Sequence, residues 1–205
     1  MDISARVGIM GGSFDPVHWG HIQIARLARD QLGLNKVLFL PAGDPPHKHR
    51  LAEKHHRLEM VRLALQGEKG FEACGLEIDR PGVTYTVDTL RELNRRMPGH
   101  PLIYIVGVDT LFYLETWKDA GCALKMCELA VVNRDGFTGG DVREKARQIE
   151  ARYQTKVHLL QGSGPEISST QVRALGSDVE ALSRYVPQAV ARYISEHHLY
   201  GGNVD

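Results

Sequence analysis

Two kinds of apolar pattern alternate along the chain. The first is short contiguous runs: RVGIMGG (6–12), NKVLFLPAG (35–43), PLIYIVGVD (101–109), ELAVVNR (128–134) and KVHLL (156–160). Their apolar character, with glycine, proline or charged residues at the ends, predicts strands. The nearly unbroken run 101–109 predicts one covered on both faces. GFEACGLEI (70–78) is a weaker candidate of the same kind. Between these runs, apolar positions recur every three or four residues, as on a helix with one buried face. Helices are predicted over Gly20–Leu32 (Ile24, Leu27, Ala28 and Gln31 on one face), about Ala52–Leu65 (Leu58, Val61, Leu65), Thr84–Met97 (Val87, Leu90, Leu93, Met97) and about Asp141–Tyr153. Gly99 follows the end of the third. The stretch from Ser168 to Tyr200 reads as two helices. SSTQVRALG has serine caps and a glycine stop, and PQAVARYISEHHLY has Pro187 at its start.

Strand followed by helix, repeated, implies an α/β architecture: a doubly wound parallel sheet with helices on both sides. The expected organisation is one domain spanning residues 1–205, with a small helical C-terminal extension at about 168–200. Ligands of such sheets sit at the carboxyl ends of the strands. GGSFDPVHWGH, PAGDPPHK and VGVDT all follow predicted strand ends, so they are expected to converge.

Composition narrows the classes. Lysine plus arginine number 25 and aspartate plus glutamate 25, so no global basic field draws the chain to nucleic acid. No apolar run approaches membrane-spanning length, and MDISARVG lacks a signal-peptide layout. Cys74, Cys122 and Cys127 form no CxxC pair, which suits a reduced cytoplasmic setting. His47, His49, His55 and His56 have no carboxylate or cysteine pattern that supports a metal site.

The candidate chemistry starts at GIMGGSFDPVHWGH (8–21). Gly11 and Gly12 permit a tight turn and close approach of a ligand to the backbone. His18 and His21, three apart at a helix start, share one face. The helix N-terminus adds unpaired N–H groups and a partial positive charge, and together these make a phosphate site. The plainer alternative is a capped helix carrying two solvent-facing histidines. Zinc has no third ligand at metal spacing nearby.

GGSFDPVHWGH also resembles the HxGH signature of the nucleotidylyltransferase superfamily, and ISSTQVR (167–173) resembles its ISSTxxR motif. Within that superfamily the likeness is to the bacterial nicotinate-nucleotide adenylyltransferases. It is carried by PPHK (45–48), HRLEMVRLA (56–64), GVTYTVDTL (82–90), IVGVD and LETWKD around Trp117, and runs from about Val7 to Tyr200. One departure is NRDGF, where Asp135 stands in place of the family's usual proline after Arg134.

The resemblance implies a Rossmann-like fold and adenylyl transfer from ATP to nicotinate mononucleotide, with release of deamido-NAD and pyrophosphate. It implies His18 and His21 as the catalytic pair. Gly11, Gly12, Ser13, Phe14, His18, His21, Ser168, Ser169, Thr170 and Arg173 are expected around ATP. Ser13 either offers a hydroxyl to phosphate or caps the turn, and Phe14 is either a lid or a packing residue. Arg173 is either the triphosphate's charged partner or an outward helix residue. Lys48, Tyr85, Thr86, Gly107, Asp109 and Trp117 are expected around the second substrate. Lys48 faces a phosphate, Asp109 caps a helix or accepts from ribose hydroxyls, and Trp117 belongs to the core or stacks on the pyridine ring. Magnesium is expected to arrive with ATP, keeping water and phosphate oxygens as ligands, with no protein ligand assigned. An oligomer is compatible with the sequence.

Overall fold

The computed structural model of the chain describes residues 5–44, 52–133 and 138–201. Six strands carry the architecture: β1 (Val7–Gly12), β2 (Lys36–Pro41), β3 (Phe71–Ala73), β4 (Leu102–Gly107), β5 (Glu128–Asn133) and β6 (Val157–Ser163). They form one all-parallel sheet in the order β3-β2-β1-β4-β5-β6. The connecting helices are α1 (Trp19–Leu32), α2 (Lys54–Ala64), α3 (Thr86–Arg96), α4 (Val108–Tyr113), α5 (Ala120–Leu124) and α6 (Gly139–Tyr153). Three more, α7 (Ser169–Arg173), α8 (Val179–Leu182) and α9 (Gln188–Glu196), follow the last strand.

Strand side chains alternate between two cores, as the two-residue period of a strand requires. Val37 and Phe39, Ile103 and Ile105, and Ala130 and Val132 point to one face, where α1, α2, α7, α8 and α9 supply Ile22, Val61, Val172, Leu182 and Ile194. Leu38 and Leu40, Leu102 and Val106, and Leu129 and Val131 point to the other, covered by Leu90, Leu111, Leu124 and Ile149 of α3 to α6. The sheet is therefore doubly wound, a Rossmann-like fold, as the alternation of patterns predicts.

Some local expectations are corrected. The buried face of α1 carries Ile22, Ile24, Ala25 and Ala28, whereas Gln31 is exposed and its amide bonds the Gln161 carbonyl of β6. The strand expected over 70–78 pairs only through its first residues, Val37↔Phe71 to Phe39↔Ala73. The strand expected to reach Asp109 ends at Gly107, and Asp109 lies in the first turn of α4. The C-terminal stretch holds three helices rather than two, because α8 intervenes.

Candidate active site

β1 and β4 meet where the strand order reverses. They pair only as far as Ile9↔Tyr104. β1 stays on β2 to Gly12↔Pro41, and β4 stays on β5 to Gly107↔Val132. Beyond Ile9 and Tyr104 the two carboxyl ends diverge and open a crevice, the usual ligand position in an open α/β sheet.

The loop 13–18 leaves β1 into this crevice. Phe14 adopts a left-handed φ of 47° and the Asp15–Pro16 peptide is cis. The Phe14 side chain is buried, 5.8 Å from the Phe39 ring and edge-on to His21 at 5.0 Å, which is the packing role. His18 is the N-cap of α1, and its backbone N–H donates to His21 Nδ1 at 3.2 Å. The two imidazoles stack at 3.7 Å between centroids. Because Nδ1 of His21 accepts, the proton of its neutral ring sits on Nε2, which makes Nε2–H a donor. Gly20 between the histidines is a steric requirement: a Cβ there would stand 2.9 Å from His18 Nδ1.

Contacts from outside fix this loop and the start of α1. Arg57 Nη1 donates to Ser13 O at 2.8 Å, Arg173 Nη1 to Asp15 O at 2.7 Å and Ser169 Oγ to Pro16 O at 3.0 Å, while the Trp19 N–H donates to Tyr185 O at 2.9 Å. Asp15 is buried. Its Oδ1 accepts from the Ala52 N–H at 3.1 Å and the Tyr200 hydroxyl at 2.8 Å, and its Oδ2 lies 3.7 Å from Arg173. Burial and then the Asp15 charge push the Tyr200 hydroxyl pKa far up, so it remains a donor. Arg57, only 2 % exposed, also donates from Nε to Ala52 O at 3.0 Å and from Nη2 to Gly43 O at 2.9 Å. One guanidinium thus ties the loops after β1 and β2 to the start of α2. Burial pulls its pKa down, and Asp15 opposes that.

Arg173 is thus joined to the Asp15 main chain and, through Nη2, to Thr170 Oγ1 at 3.1 Å. Ser168 caps α7 by accepting from the Gln171 N–H at 3.1 Å. The ISSTQVR segment and the HxGH loop are brought together, as the two-motif pattern requires, through main-chain carbonyls.

A cavity of about 370 Å³ adjoins the loop. Gly11, Gly12 and Ser13 form one wall, Thr84 to Thr86 with Glu77 another, and Tyr113 with Thr116 to Lys118 the third. Tyr104 lies between them. A Cβ on Gly11 would come 2.2 Å from its hydroxyl, so only glycine fits there. Burial, followed by the Glu77 charge, drives the pKa of that hydroxyl up. Trp117 packs edge-to-face on Tyr104 at 5.7 Å, and Lys118 Nζ lies 4.1 Å over the Tyr85 ring. Tyr85 is the N-cap of α3.

Gly11, Gly12, Ser13, Tyr85, Thr86 and Trp117 therefore share one cavity. Gly107 and Asp109 sit at the β4–α4 junction and do not line it. Lys48 and Arg134 lie outside the described residues. Sequence reasoning missed Tyr104, Glu77, Lys118 and Arg57. The last had a signal: Arg57 stands on the helical spacing of Met60 and Val61, a charged residue on an apolar face.

Comparison with known proteins sets the class first. Residues 9–175 match the cytidylyltransferase-like family. A protein of Desulfitobacterium hafniense (strain DSM 10664 / DCB-2) named "probable nicotinate-nucleotide adenylyltransferase" is 37% identical, covering 98% of this chain and 99% of its own. One of the same name from Thermoanaerobacter sp. (strain X514) is 37% identical, covering 98% and 96%. The fold is shared with the solved structure "Plasmodium falciparum nicotinic acid mononucleotide adenylyltransferase complexed with NaAD". Its TM-score is 0.78 at 19% identity, and the match covers 98% of this chain and 100% of that one. The chain belongs to the nicotinate-nucleotide adenylyltransferase family. Among the described residues no helix is long and apolar enough to cross a membrane.

Proposed function

We propose that the protein transfers the adenylyl group of ATP to nicotinate mononucleotide, giving deamido-NAD and pyrophosphate, as a cytoplasmic step of NAD biosynthesis carried out by a single domain. The observation that carries this reading is the adjacency of the two halves: the stacked histidines at the start of α1, and the Trp117–Tyr104 cavity one loop away. The acceptor's phosphate oxygen attacks the α-phosphorus directly, and pyrophosphate leaves. No protein nucleophile is needed, because positioning and charge stabilisation supply most of the catalysis. His21 Nε2–H and the His18 ring act as donors to the phosphate oxygens, and the backbone of Gly11, Gly12 and Ser13 admits the triphosphate closely. Ser168, Ser169, Thr170 and Arg173 back the phosphates from α7, with Lys48 as a further cation. Gly107 and Asp109 receive the ribose side.

Magnesium would supply charge neutralisation on the triphosphate.

The pyridine ring stacks on Trp117, and its carboxylate meets the first-turn N–H groups of α3 at Thr86, where the helix has no carbonyls to offer them. A carboxamide would turn an NH₂ toward those donors. Leaving donors unpaired in a dry pocket costs about 1–3 kcal/mol. With the lost charge term, a preference for the acid of at least about a hundredfold in kcat/KM is expected, equivalent to roughly 2.7 kcal/mol. The test incubates the protein with ATP, magnesium and either nicotinate or nicotinamide mononucleotide and weighs the products. Trp117→Ala should weaken both acceptors and leave their ratio intact. Equal efficiency on both acceptors in the wild type would refute the placement of the carboxylate at α3.

A further inference from the structure

The cavity wall at Tyr113–Lys118 meets the rest of the cavity through the Trp117–Tyr104 ring contact and through Lys118 over the Tyr85 ring. The turn is shaped locally: Thr116 Oγ1 donates to Tyr113 O at 2.7 Å, the Trp117 N–H to Leu114 O at 3.1 Å and the Ala120 N–H to Trp117 O at 3.3 Å. Those bonds shape the turn but do not locate it against the body of the protein. Leu114 is fully buried and anchors it, but apolar contact has no direction. Directional anchoring comes from the intervening Glu115. Its carboxylate accepts from Lys145 Nζ at 2.6 Å, Arg152 Nη1 at 2.7 Å and the Tyr153 hydroxyl at 2.9 Å, all three on α6. α6 is itself held by the buried Val142, Ala146 and Ile149.

Isolated surface ion pairs contribute little, but several charges in one network with good geometry are the exception. Here the side chains of Lys145 and Glu115 are only 17% and 27% exposed. The bonds from Lys145 and then Tyr153 hold the Glu115 pKa below the usual carboxylate range, so the clamp stays charged throughout the neutral range.

We propose that Glu115 is a positioning residue for the acceptor: its three-point attachment to α6 sets the plane of Trp117 and the wall that carries it. The inference rests on the reading of the cavity as the acceptor site. Loss of Glu115 lets the wall drift while the histidine loop, tied down by Arg57 and Arg173, stays in place. The acceptor should suffer and ATP should not.

The experiment uses the full chain. Glu115→Ala should raise KM for nicotinate mononucleotide by about tenfold, part of the roughly hundredfold that a displacement of about 1 Å can cost. KM for ATP and kcat at saturation should stay within about twofold. Tyr153→Phe removes one of the three bonds without leaving a cavity at Glu115. It should raise the same KM by about threefold, the scale of one modest contact. Glu115→Gln keeps a carbonyl for Arg152 and Tyr153, which share one oxygen, but turns its NH₂ toward Lys145, and should recover only part of the loss. In a Trp19→Phe background Trp117 is the sole tryptophan. There, Glu115→Ala should shift its emission to the red and increase quenching by acrylamide with no substrate present. Unchanged acceptor KM in Glu115→Ala and Tyr153→Phe overturns the proposal, whatever the emission does. So does a parallel loss for both substrates and kcat together with a lowered Tm, which would mark a general structural role. Trp117→Ala separates the two levels. If it raises acceptor KM and Glu115→Ala does not, only this inference falls. If it has no effect, the reading of the cavity falls and the inference falls with it.

Discussion

Arg57 should be the side chain outside the cavity on which activity and stability depend together. Replacing it with methionine keeps most of the aliphatic volume and removes the guanidinium. Three backbone carbonyls, Ser13 O, Gly43 O and Ala52 O, then lose their donors. Each carbonyl that loses this charged donor costs about 1–3 kcal/mol, less at the part-buried Ser13 and Ala52 than at the buried Gly43, and partly offset because a cation no longer has to be stripped of water. The net loss is taken as about 3–5 kcal/mol, the range for removing one partner of a buried charged network. That is a large share of a typical total of about 5–15 kcal/mol, so the variant still folds in the cold. At this chain length each kcal/mol moves the midpoint by about 2–4 °C, so Arg57→Met should melt roughly 6–20 °C lower. Because Ser13 opens the histidine loop, kcat should fall by about a hundredfold or more at a temperature where the variant is fully folded. Arg57→Lys keeps a charge near Asp15 but not the planar fork, and should fall between the two. Thermal unfolding by circular dichroism, paired with pyrophosphate release at 15 °C, measures both effects. A methionine variant that melts within 2 °C of wild type and turns over normally would refute the reasoning.

His18→Ala and His21→Ala should each lower turnover by roughly a hundredfold or more, the scale of losing one transition-state donor, and, since His18 is buried and His21 caps its N–H, should also lower the unfolding midpoint by about 2–4 °C. Wild-type turnover in a folded double variant would remove them from the chemistry. For Arg173→Ala, the bond to Asp15 O means that kcat should fall along with ATP use, while acceptor KM moves least; steady-state kinetics in each substrate checks this. Unchanged kinetics in both would make Arg173 a helix-surface residue.

The order of layers was legible in the sequence because side-chain periodicity is a local property. The alternation of Val37 and Phe39 with Leu38 and Leu40 follows from the pleat, and Val87, Leu90 and Leu93 from the helical turn. The two motif loops were picked out by their resemblance to known signatures, and the fold brings them into contact through Ser169 and Arg173. The β4–α4 junction was misread because Val106 to Val108 stays apolar while the backbone changes from strand to helix, and a run that short has no period to read.

Tertiary structure alone decided what holds the site rigid. Tyr200 reaches Asp15 across 185 residues, Arg173 reaches it across 158, and Arg57 reaches Ser13 across 44. Nothing local distinguishes Tyr200 and Arg173 from solvated side chains, and for Arg57 the helical spacing marks burial but not its partners. An arginine in a sequence advertises a charge that awaits an anion, and so Arg173 was expected on triphosphate. In the folded chain it also holds a backbone carbonyl of the turn before His18, a partner that no local pattern reveals. The sequence by itself determined which chemical groups stand at the strand ends. Only the fold, by bringing carbonyls from distant loops around a few buried donors, decided which of those groups are fixed in place and by what.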